Sequence, residues 1–554
     1  MQRRHFIQLA GSSIASLFFT RTGNGTGILY DILDFPSGVA VLSAGKWTAL
    51  IRAGEKWSSG HITVSLQHIG RSLKVKVHAP GVELEKVRLT WQRIFAKDAR
   101  FLGDDWERSY GNLEWRDGSA QHKAPWYLLI YDGQGTRALG VKTGAASICY
   151  WQIAPRQLEL YLDTHSGGMG VLLGDRTLDA AEIITTQNLP GETPFQTDHR
   201  FCKMMCDRPA LPQKPVYGIN DWYFAYGNNS KTLILQNTDM MSQLAADTAN
   251  RPYSVIDDGW SLKLPKKDND NCWGDDYSTP NEKFGDMSVV AGHIKKLGML
   301  PGLWTRTLLA NQHDDPRLMT PLRKGQQNLK ERYLDPTIPE NLARIGNIIG
   351  LYKDWGFELV KHDYSTYDFF GRWGFEMQQE LTAPGWHFND RSKTNAEILL
   401  ELYRTIRRNA GKMLLIGCNT MSHLSAGIFE LNRTGDDTSG KEWARTLKMG
   451  VNTLGFRLPQ HGAFYAVDGD CVGLTTQVPW KENRQWLQLL AECSAPLFIS
   501  AQPEALGQEQ KALIRRCFTL AAQPQPLGEP LDWLTDPRPA KWRLNGRTVN
   551  FDWH

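Results

Sequence analysis

The sequence predicts a multidomain α/β plus all-β chain: an N-terminal antiparallel β-sandwich, then a (β/α)8 TIM barrel, then a short C-terminal β hairpin. Three observations predict it. Up to about residue 200, short apolar runs alternate with Gly, Pro and Asp turns, and long helical patterns are absent. After Pro215, helical stretches end in glycine and run straight into an apolar strand. The 554 residues exceed one ordinary core, unless part of the chain is an α/β barrel of about 250 residues.

The expected boundaries are an export signal over 1–26, the sandwich over 27–205, the barrel over 206–522 and the C-terminal extension over 523–554. The start, "MQRRHFIQLAGSSIASLFFT", is basic and then weakly apolar without acids. Arg3 and Arg4, followed by Phe6 and Ile7, resemble a twin-arginine signal, which implies export to the periplasm or beyond. No later apolar run reaches the roughly 18 residues of a membrane span. A net charge of +4 from 63 basic and 59 acidic residues makes no case for nucleic acid or an acidic membrane surface as partner. The eight cysteines are scattered; only Cys202 and Cys206 lie close, and one C-x-x-x-C is weak evidence for zinc. Most read as small buried hydrophobes, with one or two disulfides possible in an oxidising compartment.

Period-two runs such as "HITVSLQHIG" and "SLKVKVHAPG" read as half-buried strands of the sandwich. Further on, "DMSVVAGHIKKLG", "NLARIGNIIGLYKDWG" and "NAEILLELYRTIRRNAG" lead into "MLPGLWT", "FELVKHD" and "KMLLIGC", so Gly298, Gly356 and Gly411 read as equivalent helix stops. Eight strands are expected to begin near Val216, Tyr253, Met299, Phe357, Lys412, Ile428, Ala463 and Ala495. An open doubly wound sheet would call for a Gly-rich phosphate fingerprint, which is not found. Near the end, "LNGR" supplies an Asn-Gly turn for a small hairpin against the barrel.

A barrel carries its chemistry at the C-terminal ends of its strands. The first expected strand ends with Asp221 and Trp222, the second with Asp257, Asp258 and Trp260, the third with Trp304 and Arg306, and the fourth with Lys361 and Asp363. Cys418 and Asn419 follow the fifth; Arg433, Asp436 and Asp437 the sixth; Asp468 and Asp470 the seventh. Any single Asp here could be a helix N-cap, and any Trp could be packing between domains. Caps alone do not require tryptophans and cations on the same rim. Side chains two apart on a strand share a face, so Lys361 and Asp363 are expected to point together into the mouth, with the cation favouring an ionised carboxylate. Asp436 is then a second carboxyl across the mouth, and two such groups are the minimum for glycosidic cleavage.

"DDGW", "GLW", "K-x-D", "R-x-G-D-D-T" and "APLFIS", in that order, resemble the α-galactosidases of glycoside hydrolase families 27 and 36 over roughly residues 215–520. The resemblance implies a retaining exo-acting α-galactosidase needing no cofactor and no metal, with Asp363 as nucleophile and Asp436 as acid/base. It also implies that Asp257 and Asp258 hold the C4 and C6 hydroxyls, that Lys361 and Arg433 contact the sugar, and that Trp222, Trp260 and Trp304 wall the pocket. Cys418 falls on the loop that shapes the C2 side, and Asp437 is a rival acid/base. Two departures stand out: "CNTMSHLSAG" replaces a glycine-rich stretch, and "TR" replaces an acidic pair after "GLW". Alternatives are a relative acting on α-N-acetylgalactosaminides, β-L-arabinopyranosides or α-glucans, a metal-dependent barrel hydrolase, or a non-catalytic carbohydrate-binding protein. The expected partner is an oligosaccharide or glycan, with oligomerisation possible.

Overall fold

The computed structural model describes residues 34–553 except 119–121, 155, 246–248, 264–274, 312–313 and 325–330. The expected export signal and Cys272 lie outside the described residues. No described helix is long and apolar enough to cross a membrane.

Two antiparallel sheets form the N-terminal part. Their strands alternate as the pleat requires: Val87, Leu89 and Trp91 of Glu83–Gln92 face the core, as do Leu73, Val75 and Val77 of Ser72–His78. Trp91, Trp106, Trp126 and Trp151 are fully buried, so much of the tryptophan content is packing.

A parallel sheet follows, beginning at Tyr217–Asn220, Tyr253–Ile256, Leu300–Thr305 and Leu359–His362. It continues through Leu414–Gly417 and Leu431–Arg433 to Ala466–Asp468, while Leu497–Ala501 pairs with the first strand. Each expected start lies within three residues of an observed strand. The helices Met287–Lys296, Pro339–Asp354 and Asn395–Ala410 precede three of them. Gly356 shows why a glycine ends such a helix: its φ of +90° is a backbone state that side chains resist.

One strand differs from expectation. The seventh does not end at Asp470; the chain breaks at Gly469 and Asp470 and resumes as Cys471–Leu474. The first half pairs with Leu431–Arg433 and the second with Leu497–Ala501. Asp470 bends there with φ +73°, and its buried carboxylate accepts from Thr438 N at 2.8 Å, from Arg433 at 2.8 Å and from the Tyr223 hydroxyl. The break turns an acid that would have faced along the strand into an anchor for Arg433.

The C-terminal segment is a three-stranded antiparallel sheet, since Glu529–Pro530 adds to the expected hairpin Lys541–Leu544 and Arg547–Asn550. Asn545 and Gly546 at φ +48° and +76° make its tight turn. It packs on the helical segment from Trp443 to Arg457, where the Trp443 indole N–H donates to the Trp553 carbonyl at 3.2 Å. The seven described cysteines are free and buried.

The two large parts interlock. After the strand Arg100–Gly103, the chain crosses to the parallel sheet, where Ser109 N donates to Thr434 O at 2.8 Å and Asp436 N donates to Ser109 O at 2.8 Å. Asp104 and Arg457 close a buried ion pair at 2.7 Å across the same junction.

Candidate active site

The strand ends bring most of the expected residues together. Asp363, after the fourth strand, accepts the Trp304 indole N–H on Oδ2 at 3.1 Å and the Tyr364 backbone N–H on Oδ1 at 2.7 Å. Tyr364 takes a left-handed φ of +62°, which turns the chain away directly after the carboxylate.

The cation expected beside Asp363 is not its partner. Lys361 shares its face but reaches sideways to Asp257 Oδ2 at 2.7 Å, where Asn220 also donates at 2.7 Å. Burial alone would lower the lysine, but Asp257, with Cys418 and Asp470 beyond it, more than offsets that, and Lys361 is raised well above its usual value. Asp257 N in turn donates to Asp221 Oδ1 at 2.7 Å. Burial and the neighbouring Asp257 charge push Asp221 up to about 7.

The group that does reach Asp363 is Arg108, from the loop of the N-terminal part. Its guanidinium lies 4.0 Å from Asp363 Oδ1, 2.9 Å from Asp436 Oδ1 and 3.9 Å from Asp437 Oδ1. It also lies over the Trp373 ring at 5.3 Å and 3.7 Å from Cys418 Sγ. Burial would lower this guanidinium; Asp436, Tyr110, Cys418 and Asp363 together more than offset that and raise it. Arg445 closes the other side of Asp436 at 2.8 Å from Oδ2. Gly435 has to be glycine because a Cβ there would overlap the Met449 carbonyl oxygen.

Asp437 differs from its neighbour. Although burial pushes it up, Arg433 at 3.4 Å and Arg108 hold it at about 2. Arg433 is fully buried, pinned by Asp470, with Nη1 3.5 Å from Cys418 Sγ. Cys418 is buried and raised well above its usual value by that burial and by Asp363.

The tryptophans divide. Trp304 touches Asp363, and Trp222 is half-buried beside Tyr226 with ring centroids 5.7 Å apart. Trp260 has no exposed surface and does not wall the site. Its indole N–H donates to the Trp304 carbonyl at 2.9 Å and its ring packs on Tyr352 and Trp355, because Gly259, at φ +111°, turns the chain toward the helix Pro339–Asp354. Asp258 is half-buried, and its Oδ1 accepts from Gly259 N at 2.7 Å. Arg306, the departure after "GLW", is tied at 2.6 Å to both Glu331 and Asp368 and lies 4.1 Å from the Tyr364 ring centre, beneath the turn that follows Asp363. No group of three or more His, Cys, Asp or Glu placed to hold a metal occurs among the described residues.

Arg108 and Arg445 were not among the candidate residues of the sequence, and Asp470, expected at a strand end, was not expected as the anchor of Arg433. The only hint of Arg108 was "DDWERSYGN", a charged stretch without strand periodicity inside an otherwise alternating region.

Beside Arg108 lies Glu107, fully buried, with Oε1 accepting from Gly374 N at 2.7 Å and from the Tyr110 hydroxyl. Burial raises it to about 7, against the pull of Arg108. Below pH 4.5 both folded and unfolded chains keep this proton. Between about 4.5 and 7 only the unfolded chain releases it, so stability falls as pH rises through that window, by roughly 3 kcal/mol at most. Glu107→Gln is expected to remove that loss. Urea unfolding at several pH values checks it: a constant stability difference between wild type and variant from pH 4.5 to 8 would contradict the assignment.

No protein-family model matches the chain. A curated α-galactosidase of Escherichia coli is 27% identical over 201 residues, and the chain spans about a quarter of that relative's length, 25%, with 34% of its own. Among solved structures, an α-galactosidase from Thermus thermophilus in complex with p-nitrophenyl α-D-galactopyranoside superposes with a TM-score of 0.60 at 17% identity, over 93% of this chain and 99% of that one. A family GH36 α-galactosidase from Geobacillus stearothermophilus, AgaB, gives 0.59 at 12% identity over 87% and 74%. These likenesses establish a shared fold.

Proposed function

We propose that the protein is a retaining exo-acting α-glycosidase, and that its sugar is a terminal α-galactosyl residue. The observation that carries the proposal is Arg108: one buried guanidinium within 4.0 Å of carboxylates from two different strand ends, Asp363 and Asp436. Two carboxyl groups converging on one cleft are the equipment of glycoside hydrolysis. The parallel sheet reads as a closed eight-membered barrel whose broken seventh strand completes the ring, which puts both carboxyls at the C-terminal mouth.

In the first step an Asp363 oxygen attacks the anomeric carbon while the bond to the leaving oxygen breaks, and Asp436 gives that oxygen its proton. In the second, Asp436 takes a proton from water as the water oxygen attacks the same carbon, and the Asp363 carboxylate is released. Asp436, which Arg108 joins directly to the side of the cleft that holds Asp363, is taken as the acid/base, and Asp437, held at about 2 by Arg433 and Arg108 against its burial, stays ionised as their counter-charge. Asp257 and Lys361, paired in the wall, offer a carboxylate and an ammonium to sugar hydroxyls, half-buried Asp258 offers a second carboxylate, and the buried Arg433 acts through Asp437, 3.4 Å away. The relatives' substrates favour galactose, and the N-terminal residues 1–26 favour export.

A panel of 4-nitrophenyl glycosides tests the sugar. Turnover of the α-galactoside at least tenfold above the α-N-acetylgalactosaminide, β-L-arabinopyranoside and α-glucoside is expected; activity confined to another member would replace galactose.

A further inference from the structure

We propose that the leaving-group side of the cleft accepts an aglycone that carries both a ring and an acidic group, and that Lys448 is a specificity-determining residue for it. The inference rests on the α-glycosidase reading above and names the part of the substrate that reading leaves open.

The cleft over Asp436 has a volume of about 690 Å³, within the range of a pocket for a ligand larger than one sugar ring. Three cations line it: Arg108, Arg445 and Lys448. Arg445, Lys448 and Met449 come from one helical segment at spacings of three and four, so they share a face. Gly111 presses against Lys448, where a Cβ would overlap the lysine's carbonyl oxygen, and this fixes Lys448 beside the crossing loop. Lys448 is exposed and has no carboxylate partner among the described residues.

The charges change during the reaction. In the resting site Asp436 is paired with Arg108 at 2.9 Å and Arg445 at 2.8 Å. Before it can act as an acid, Asp436 has to carry a proton, and both arginines then lose that counter-charge. Lys448 never had one. Arg108 then keeps Asp363 at 4.0 Å and Asp437 at 3.9 Å, the latter already sharing its charge with Arg433, while Arg445 and Lys448 are left without a paired carboxylate among the described residues. An anion on the leaving group supplies what is missing, at the stage when the proton is about to move. Once Asp436 has given its proton to the leaving oxygen, its negative charge reclaims the arginines and repels the anionic product.

The apolar part of the cleft fits a ring. Tyr110 and Phe375 meet edge to face at 4.8 Å, and Phe375 is 54% exposed, so its ring face is open to a second ring. Trp373 stands beside them. Carboxylate and sulfate share the required chemistry, so the test separates them.

The purified full chain is given 4-nitrophenyl α-galactoside and its 3-carboxy and 3-sulfo ring derivatives. The readout is the anionic-to-neutral ratio of kcat/KM, compared between wild type and variants, because differences in leaving-group acidity cancel in that comparison. Lys448→Gln is expected to lower the ratio about threefold to fivefold, and Lys448→Glu about tenfold. Raising salt from about 20 to about 500 mM shrinks the wild-type ratio as the charges are screened. The derivative with the larger drop identifies carboxylate or sulfate as the natural group. Turnover of the neutral glycoside with one unchanged ratio in wild type and both variants overturns this inference alone. No turnover of any of the three overturns the α-galactosidase reading as well.

Discussion

Asp363→Asn lowers kcat for 4-nitrophenyl α-galactoside on the order of 10⁴-fold or more, because without a nucleophilic carboxylate no glycosyl-enzyme can form. The amide keeps the size of the side chain, so an acceptor for the Trp304 indole N–H, 3.1 Å away in the wild type, is retained and the fold is expected to persist. Added azide restores turnover by attacking the face that the carboxylate used, and the product is the β-galactosyl azide. Proton NMR of the wild-type reaction shows α-galactose first, before mutarotation. Wild-type turnover in the variant, or a first-formed β anomer from the wild type, would remove Asp363 from the nucleophile role.

The second large effect depends on the leaving group. Asp436→Asn costs roughly 10²–10⁴-fold in kcat/KM on an unactivated galactoside, whose leaving oxygen needs a proton. On 4-nitrophenyl galactoside the same substitution costs less than about tenfold, since nitrophenolate departs unprotonated. Azide then intercepts the accumulated intermediate and gives the α-galactosyl azide, the opposite anomer to that from Asp363→Asn. Asp437→Asn serves as the contrast. Its carboxylate balances Arg433 and Arg108, so its loss should weaken both substrates alike. If Asp437→Asn and not Asp436→Asn shows the leaving-group dependence, the two roles exchange.

Much of the site was legible because a parallel sheet with helical crossovers gathers its strand ends on one side and so turns linear order into position. The residues that end strands reach the same mouth whatever their separation in sequence, so Asp257, Lys361, Asp363, Arg433 and Asp436 could be collected by finding where apolar runs stop. Gly356 was legible for a similarly local reason: a helix stop is a backbone state of one residue. Trp260 was misread because "DDGW" reveals that an indole follows the strand but not which way Gly259 turns it. Arg306 looked like a missing acidic pair, and the structure places it beneath Tyr364 with its charge balanced by Glu331 and Asp368.

By itself the sequence determined the order of the parts, the strand ends and the two carboxyls, because hydrophobic period, helix stops and strand termini are set by neighbours along the chain. Only the tertiary structure decided who partners whom. Lys361 and Asp363 share a face, as the two-residue repeat requires, yet Lys361 pairs with Asp257 on the adjacent strand and the cation nearest Asp363 is Arg108, 255 positions earlier in the chain. Ion pairs depend on distances of a few ångströms in space, and no periodicity in the sequence encodes contacts between a loop of the N-terminal sheets and a strand end.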